Sequence, residues 1–396
     1  MASPALLIAD DQPDILEALR LLVKREGIDV DVATSPRGVL AALQRRSYDA
    51  VLMDLNYARD TTSGAEGLDL VAEITRRDAL LPVIVMTAWS SVKLAVDAMQ
   101  QGARDFIQKP WDNERVLTTL RTQIELGRVT RRSARADAQR QQDLALAAKV
   151  QAQLLAPETL RLPTLECVGR CIQALEVGGD YFDLLHLGDG RIGLAVGDVA
   201  GKGVAAALLM ANLQGLVRTA ARDHADPRDV VSYVNTGMCE VTVAYLYATF
   251  FYGVYDDRTG TLSYVNAGHN PPACVHADGS VERLSRGGTV VGLFADAQFT
   301  SGSLALEPGA LLAIFTDGVT EASNEADEEF GDAGLLASLT RAANCPAGVV
   351  IDQVLRDRAD FLGSTRQSDD TTLVVARRSE AGRIVPQTDT PPHRDR

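Results

Sequence analysis

The sequence predicts an α/β doubly wound parallel sheet, joined by a long helix to an α+β sandwich. Three observations carry this reading. Over the first third of the chain, short apolar runs alternate with segments whose apolar residues recur at helical spacing. A stretch with no proline until Pro157 then keeps helical character. Beyond it, apolar runs come in hairpin-like pairs separated by Gly188-Asp189-Gly190, Arg258-Thr259-Gly260 and Asp278-Gly279-Ser280. At 396 residues the chain is too long for one ordinary core, and a 46% apolar share supplies material for two.

Charge and cysteine usage narrow the function classes. A formal net charge of −14 argues against nucleic acid as the main partner. The five cysteines, Cys167, Cys171, Cys239, Cys274 and Cys345, lack zinc-ligand spacing and read as reduced thiols. The N-terminus carries no secretory pattern, and no apolar stretch reads as long enough to span a bilayer. The expectation is a soluble cytoplasmic protein with neither a nucleic-acid nor a membrane partner.

In the first domain (residues 4–125), Leu6–Ala9, Val30–Ala33, Ala50–Met53, Pro82–Met86 and Asp105–Gln108 read as strands. Pro13 opens a helix with Ile15, Leu19, Leu22 and Val23 on one face, and Val39–Leu43 belongs to a second. Alternation of this kind implies a parallel sheet with helices on both faces, and ligands then bind beyond the carboxyl ends of the strands. Asp10, Asp11, Asp54, Thr87 and Lys109 all fall at those ends. Carboxylates there supply hard oxygen ligands for Mg²⁺, and one can accept a phosphoryl group while Lys and a hydroxyl bind its oxygens.

These residues and spacings resemble the response-regulator receiver family. The resemblance implies that Asp54 is phosphorylated by a histidine kinase or phosphotransfer protein. It also implies that Asp10, Asp11 and Asp54, with the backbone carbonyl of Asn56, hold Mg²⁺. Thr87 becomes the switch hydroxyl, Lys109 the phosphoryl contact and Phe106 the switch aromatic. The segment 56–66 departs from the family's short turn: it is longer and more polar. A plain solvated loop, or one that shapes kinase choice or shields the phosphoryl group, are both open.

Val116, Leu117, Leu120 and Ile124 give the last helix of this domain an apolar face. The pattern then turns basic with Arg128, Arg131, Arg132, Arg135 and Arg140, before Leu144, Ala147, Val150, Leu154 and Leu155 restore an apolar stripe. Residues 126–160 read as a stiff helical linker with a solvated basic face, able to convey rotation or to support a homodimer. Its final segment, Ala148 to Pro157, resembles the lead-in helix before bacterial stress-type serine phosphatase domains.

The second domain (161–377) is organised around Gly197-Asp198-Val199-Ala200-Gly201-Lys202-Gly203. This turn follows the apolar run Ile192–Val196 and precedes a buried helix beginning at Val204. Glycines let backbone approach a ligand closely, so the turn suits a metal or a phosphate. Two helical stretches, Val204–Ala221 and Pro227–Val243, interrupt the strand-like runs. Asp180, Asp317 and Asp369 recur like Asp198 beside glycine or at strand ends. Buried carboxylates need cations or protons, and Lys202 is the one Lys or Arg within these motifs. All-oxygen ligation points to Mg²⁺ or Mn²⁺ rather than Zn²⁺, and two such ions can activate water for attack on a phosphoryl group. His269, in Asn266-Ala267-Gly268-His269-Asn270-Pro271-Pro272, reads as a loop-ordering residue.

With Ala248-Thr249-Phe250-Phe251-Tyr252, these motifs resemble the PP2C-like metal-dependent phosphatases, in their bacterial SpoIIE/RsbU branch. The resemblance implies catalytic roles for Asp198, Asp317, Asp369 and Asp180. Asp198 would bridge two Mn²⁺ or Mg²⁺ ions, the Val199 carbonyl would bind one, and Asp317 and Asp369 would complete the shell. Asp180 would ligate directly or through water. Lys202 stands where a His is common in the branch. The implied substrate is phosphoserine or phosphothreonine on a regulatory protein, typically a STAS-type anti-sigma-factor antagonist. The rival expectation is a non-enzymatic adaptor that sequesters or delivers a partner. Residues 378–396, rich in Arg, Pro and Thr, are expected to be disordered.

Overall fold

Strands that are apolar on both sides need cover on both sides, and the first unit of the fold meets that need. The computed structural model describes residues 3–57, 64–88, 92–155, 158–241 and 246–379. The chain divides into two compact units, residues 1–142 and 143–396. Parts of two sequence expectations, the long loop at 56–66 and the tail from 380, lie outside the described residues.

In the first unit, β1 (Ala5–Ala9), β2 (Asp29–Ala33), β3 (Ala50–Asp54), β4 (Val83–Ala88) and β5 (Asp105–Lys109) form one parallel sheet in the order β2-β1-β3-β4-β5. Successive residues go to opposite faces. Leu7, Val51, Met53, Val83 and Val85 pack with Val39, Val71 and Ile74 of α2 (Pro36–Arg45) and α3 (Ala65–Arg77). Leu6, Ile8, Leu52 and Ile84 pack with Leu19 of α1 (Pro13–Lys24) and with Val116, Leu120 and Ile124 of α5 (Asn113–Leu154). The short α4 (Val92–Gln100) completes the unit.

The basic stretch of α5 has the solvated face expected at Arg132, Arg135 and Arg140, which are exposed, and departs from it at Arg128 and Arg131. Arg128 Nε donates to Asp49 at 2.9 Å and Arg131 pairs with Asp78 at 2.6 Å, while Arg121 pairs with Glu26. The acids lie in the connections between other elements of the same unit, far away in sequence, which is why the linear pattern hid them.

In the second unit two sheets pack face to face. One runs β14-β11-β10-β9-β8, with β15 beside β11; the other runs β13-β12-β16-β17-β7-β6. Their strands are β6 (Thr159–Arg161), β7 (Leu165–Ile172), β8 (Tyr181–Gly188), β9 (Arg191–Val199), β10 (Ala248–Asp256) and β11 (Thr261–Ala267). The rest are β12 (Ala273–Val275), β13 (Val281–Arg283), β14 (Gly287–Gly288), β15 (Gly302–Ala305), β16 (Leu311–Phe315) and β17 (Thr371–Arg378). Leu194, Val196, Phe251, Ile314 and Val374 fill the space between the sheets. Their neighbours point outward: Ala195, Phe250 and Tyr252 pack on α6 (Val204–Asp223) and α7 (Pro227–Val241). Ala313, Phe315, Leu373 and Val375 pack on α9 (Gly331–Ala342) and α10 (Ala347–Leu362), which follow the short α8 (Asp317–Thr320).

Three features depart from the sequence reading. α9 and α10 form a second helical layer where two helical stretches were expected; α9 is short and holds two glycines, which weakens its pattern. β7 pairs with β17 along its whole length although Glu166 and Arg170 break its apolar run. α6, at 20 residues, is long and apolar enough by length and composition to cross a membrane; its Ala206, Met210, Leu213 and Val217 are buried in the core.

Candidate functional site

In the first unit, the ends of β1, β3 and β5 bring Asp10, Asp54 and Lys109 together. Lys109 Nζ lies 2.8 Å from Asp10 Oδ2 and 2.9 Å from Asp54 Oδ2. Oxygens of Asp10, Asp11 and Asp54 converge within 4.8 Å of one another, the spacing a shared cation requires. Burial pushes the Asp54 carboxyl up, the Lys109 ammonium pulls it back down, and Asp10 adds repulsion. Leu55 N donates to Asp54 Oδ1 at 2.8 Å, fixing the carboxylate's orientation. Gly67 permits α3 to seat against this turn, since a Cβ there would meet Leu55 O at 2.4 Å.

Thr87, in β4, is buried at 3% exposure, and Asn56 Oδ1 and Tyr57 OH are buried without a hydrogen-bond partner. Phe106 is 38% exposed and lines a recess with Ala95, Val96 and Met99, none of them a carboxylate. The donor set, three convergent carboxylates and one lysine, fits Mg²⁺.

In the second unit the two sheets end at one edge. Asp198 is the penultimate residue of β9 and pairs in register with Thr249 of β10. Asp317 opens α8 directly after β16, Asp369 and Asp370 precede β17, and Asp180 precedes β8. Asp198 is pushed up to about 7 by burial, then by repulsion from Asp317, Asp369 and Asp370, with Lys202 opposing. Asp317 is raised by burial and by Asp369. Asp180 is held well above the carboxylate range by burial and Asp198, even though Thr316 Oγ1 donates to its Oδ2 at 2.8 Å. Three acids raised together, Asp180, Asp198 and Asp317, ask for cations, and an all-oxygen set fits hard divalent ions. Among the described residues their oxygens do not gather to the 4.8 Å convergence of the first site.

Several residues were missed or undervalued in the sequence. Asp370 accepts from Ala174 N at 2.8 Å and from Gly179 N at 2.9 Å, so it shapes the turn that carries Asp180. Gly178 and Gly318 admit it: a Cβ on Gly178 would meet Asp370 Oδ2 at 1.9 Å, and one on Gly318 would meet Asp370 O at 1.8 Å. Gln151, buried near the end of α5, donates to Gly178 O at 2.7 Å and accepts from Gly178 N at 3.1 Å. No local pattern marks it, because its partner is backbone. Lys202 Nζ lies 2.8 Å from Asp369 Oδ2. The Val199 carbonyl faces Gly179, where a Cβ would sit 2.8 Å away. His269 is buried; its ring Nδ1 lies 2.9 Å from Thr249 Oγ1 and its backbone N–H donates to Asn266 Oδ1 at 2.8 Å. Burial lowers the imidazole to about 4, so it is neutral and orders its loop.

Residues 6–121 match the response regulator receiver domain family. Residues 188–379 match the family described as Stage II sporulation protein E (SpoIIE). Protein IcfG of Synechocystis is 32% identical over 234 residues, which cover 52% of this chain and 37% of that protein. Phosphoserine phosphatase RsbU of Bacillus subtilis is 27% identical over 237 residues, 60% of this chain and 70% of its own length. The alginate biosynthesis transcriptional regulatory protein AlgB of Pseudomonas aeruginosa is 34% identical over 127 residues, 32% of this chain and 27% of AlgB. The chain thus spans well under two thirds of IcfG and AlgB. The solved SiaA-PP2C domain of Pseudomonas aeruginosa superimposes with a TM-score of 0.54 at 21% identity, covering 61% of this chain and 98% of that domain, which speaks to fold. With two sheets, two helical layers and an acidic edge in the second unit, and a parallel sheet ending in three carboxylates in the first, the chain joins a response-regulator receiver domain to a PP2C-like domain of the SpoIIE type.

Proposed function

We propose that this chain is a two-component response regulator whose output is metal-dependent dephosphorylation of phosphoserine or phosphothreonine on a regulatory protein. The observation that carries the reading is the edge where burial and repulsion between neighbouring carboxylates raise Asp180, Asp198 and Asp317, with Asp369 repelling the last two. Asp198, Asp317, Asp369 and the Val199 carbonyl would hold two Mn²⁺ or Mg²⁺ ions, with Asp180 ligating directly or through water. When bound, such ions supply activated water and neutralise charge on the phosphoryl oxygens. The protein's own part is orientation. Asp370 and Gln151 hold the Asp180 turn from two sides, and Thr316 fixes the Asp180 carboxylate.

In the receiver, Asp54 is the phosphoacceptor for a histidine kinase or phosphotransfer protein, with Mg²⁺ on Asp10, Asp11, Asp54 and the Asn56 carbonyl. Lys109 and Thr87 bind the new phosphoryl oxygens, and Phe106 is the switch aromatic. Phosphorylation biases a two-state receiver, and α5 carries that bias to Gln151 at its far end. Exposed Leu126, Val129, Leu146 and Val150 on α5 offer a surface for a homodimer. Similarity to the phosphoserine phosphatase RsbU supports phosphoserine as the target group, and a STAS-type anti-sigma-factor antagonist is the carrier we propose for it.

The test is Mn²⁺-dependent hydrolysis of a phosphoserine-bearing antagonist, with and without beryllofluoride on the receiver, beside Asp198→Ala. Metal-dependent turnover that Asp198→Ala abolishes and beryllofluoride changes is the expected result. Turnover indifferent to beryllofluoride refutes the switch. No turnover refutes the enzyme and leaves an adaptor that sequesters or delivers its partner.

A further inference from the structure

Lys202 sits between two glycines in left-handed backbone, Gly201 at φ +103° and Gly203 at φ +72°. That conformation turns the chain sharply before α6 and sends the lysine side chain across to the other sheet's edge. There Nζ lies 2.8 Å from Asp369 Oδ2 and donates to Ser368 O, also at 2.8 Å. The accepting segment is itself held: Gln367 Nε2 donates to Asp369 O at 2.7 Å and to Ile172 O at 3.0 Å. The ammonium is the cation that opposes the repulsion felt by both Asp198 and Asp317, and Asp317, Asp369 and Asp370 in turn keep it charged.

We propose that Lys202 is a built-in counter-ion of this carboxylate edge: it occupies Asp369 while the site is metal-free and must leave it before a divalent cation can take that carboxylate. The inference rests on the reading that the second domain holds metal. It goes further, because it assigns a task to a side chain outside that metal shell. The lysine and the metal are alternative ligands of one oxygen. The lysine therefore stabilises the empty site and weakens the metal's hold there, and metal entry releases an ammonium at the mouth of α6. Both partners of the pair are about half exposed, so the competition is modest in size and readily reversed.

The experiment is Mn²⁺ titration of the full chain by calorimetry and by the loss of free-Mn²⁺ paramagnetic resonance. An Asp11→Asn background weakens the receiver's own metal site, so that the titration reads the second domain. Lys202→Met, which keeps the stem and removes the charge, is expected to bind Mn²⁺ about threefold to tenfold more tightly. Lys202→Arg should stay within about twofold of the parent. In an Asp369→Asn background the gain from Lys202→Met should vanish, since the shared oxygen is neutralised. Unchanged or weaker binding by Lys202→Met overturns the proposal. So does a gain that survives in Asp369→Asn, or an absence of Mn²⁺ binding by the second domain in parent and variant alike. Binding is read without turnover, so tighter binding in a protein that hydrolyses nothing refutes the phosphatase reading alone. Metal-dependent hydrolysis with unaltered binding refutes the counter-ion alone.

Discussion

Replacing Asp198 with asparagine is expected to stabilise the metal-free second domain, against the usual direction for a substitution in a packed site. β9 holds this carboxylate beside Asp317 and Asp369, and burial with repulsion moves it from 3.8 to about 7. At about 1.4 kcal/mol per pH unit, keeping it ionised costs the fold about 4 kcal/mol. Asparagine removes the charge but still buries a polar amide, which returns about 1–2 kcal/mol, so a net gain of about 2–3 kcal/mol remains. The pH dependence follows from the sign. Between 3.8 and 7 the folded state binds the proton that the unfolded chain has released. The parent's stability from this group is therefore full below 3.8 and lost as pH rises through 7.

Asp198→Asn should accordingly be less stable than the parent by the amide cost, about 1–2 kcal/mol, at pH 4, gain through pH 5 to 7, and level off above at the net advantage. Tryptophan fluorescence does not read this domain, because both tryptophans, Trp89 and Trp111, lie in the first. Hydrogen exchange of the β9 and β10 amides, in EDTA from pH 5 to 8, reads the opening free energy directly. A variant no more stable than the parent at pH 8, or an advantage that does not shrink toward pH 5, refutes the reasoning.

Two further substitutions probe the frame around the site. Arg218 Nε pairs at 2.7 Å with Asp183, whose side chain is only 2% exposed, so Arg218→Met strands a buried carboxylate that keeps, among the described residues, Tyr181 OH and Leu184 N. A loss of about 2 kcal/mol is expected, below the full cost of breaking a buried pair because Arg218 is itself 41% exposed. Asp183→Asn in the same chain should restore most of it, and denaturant titration measures both. Gly178→Ala forces a Cβ against Asp370, which should cost about 1–3 kcal/mol and loosen the Asp180 turn. Metal-dependent hydrolysis should fall at least about tenfold while unfolding of the receiver stays unchanged, and parental activity would overturn the role given to Asp370.

The receiver was legible in the sequence because its logic is local. Each strand is a continuous apolar run, and each site residue is the polar residue that ends one, so Asp10, Asp54 and Lys109 could be placed at one edge before any coordinates. The acids of the second domain were legible for the same reason, each beside glycine or at a strand end. What the strand pattern could not carry was contact between distant backbone segments. The Asp370 carboxylate on Gly179 N, the Gln151 amide on Gly178 and the Arg128 pair with Asp49 join residues that share no periodicity.

Composition, period and strand-end chemistry thus determined which domains form and which carboxylates carry charge. Only the tertiary structure decided how that charge is balanced. Electrostatic energy depends on distance and burial, and those are set by how the sheets end beside one another rather than by the order of residues. That packing set the Asp198 carboxyl near neutrality and brought Lys202 onto Asp369 across an interval of the chain that no local pattern spans.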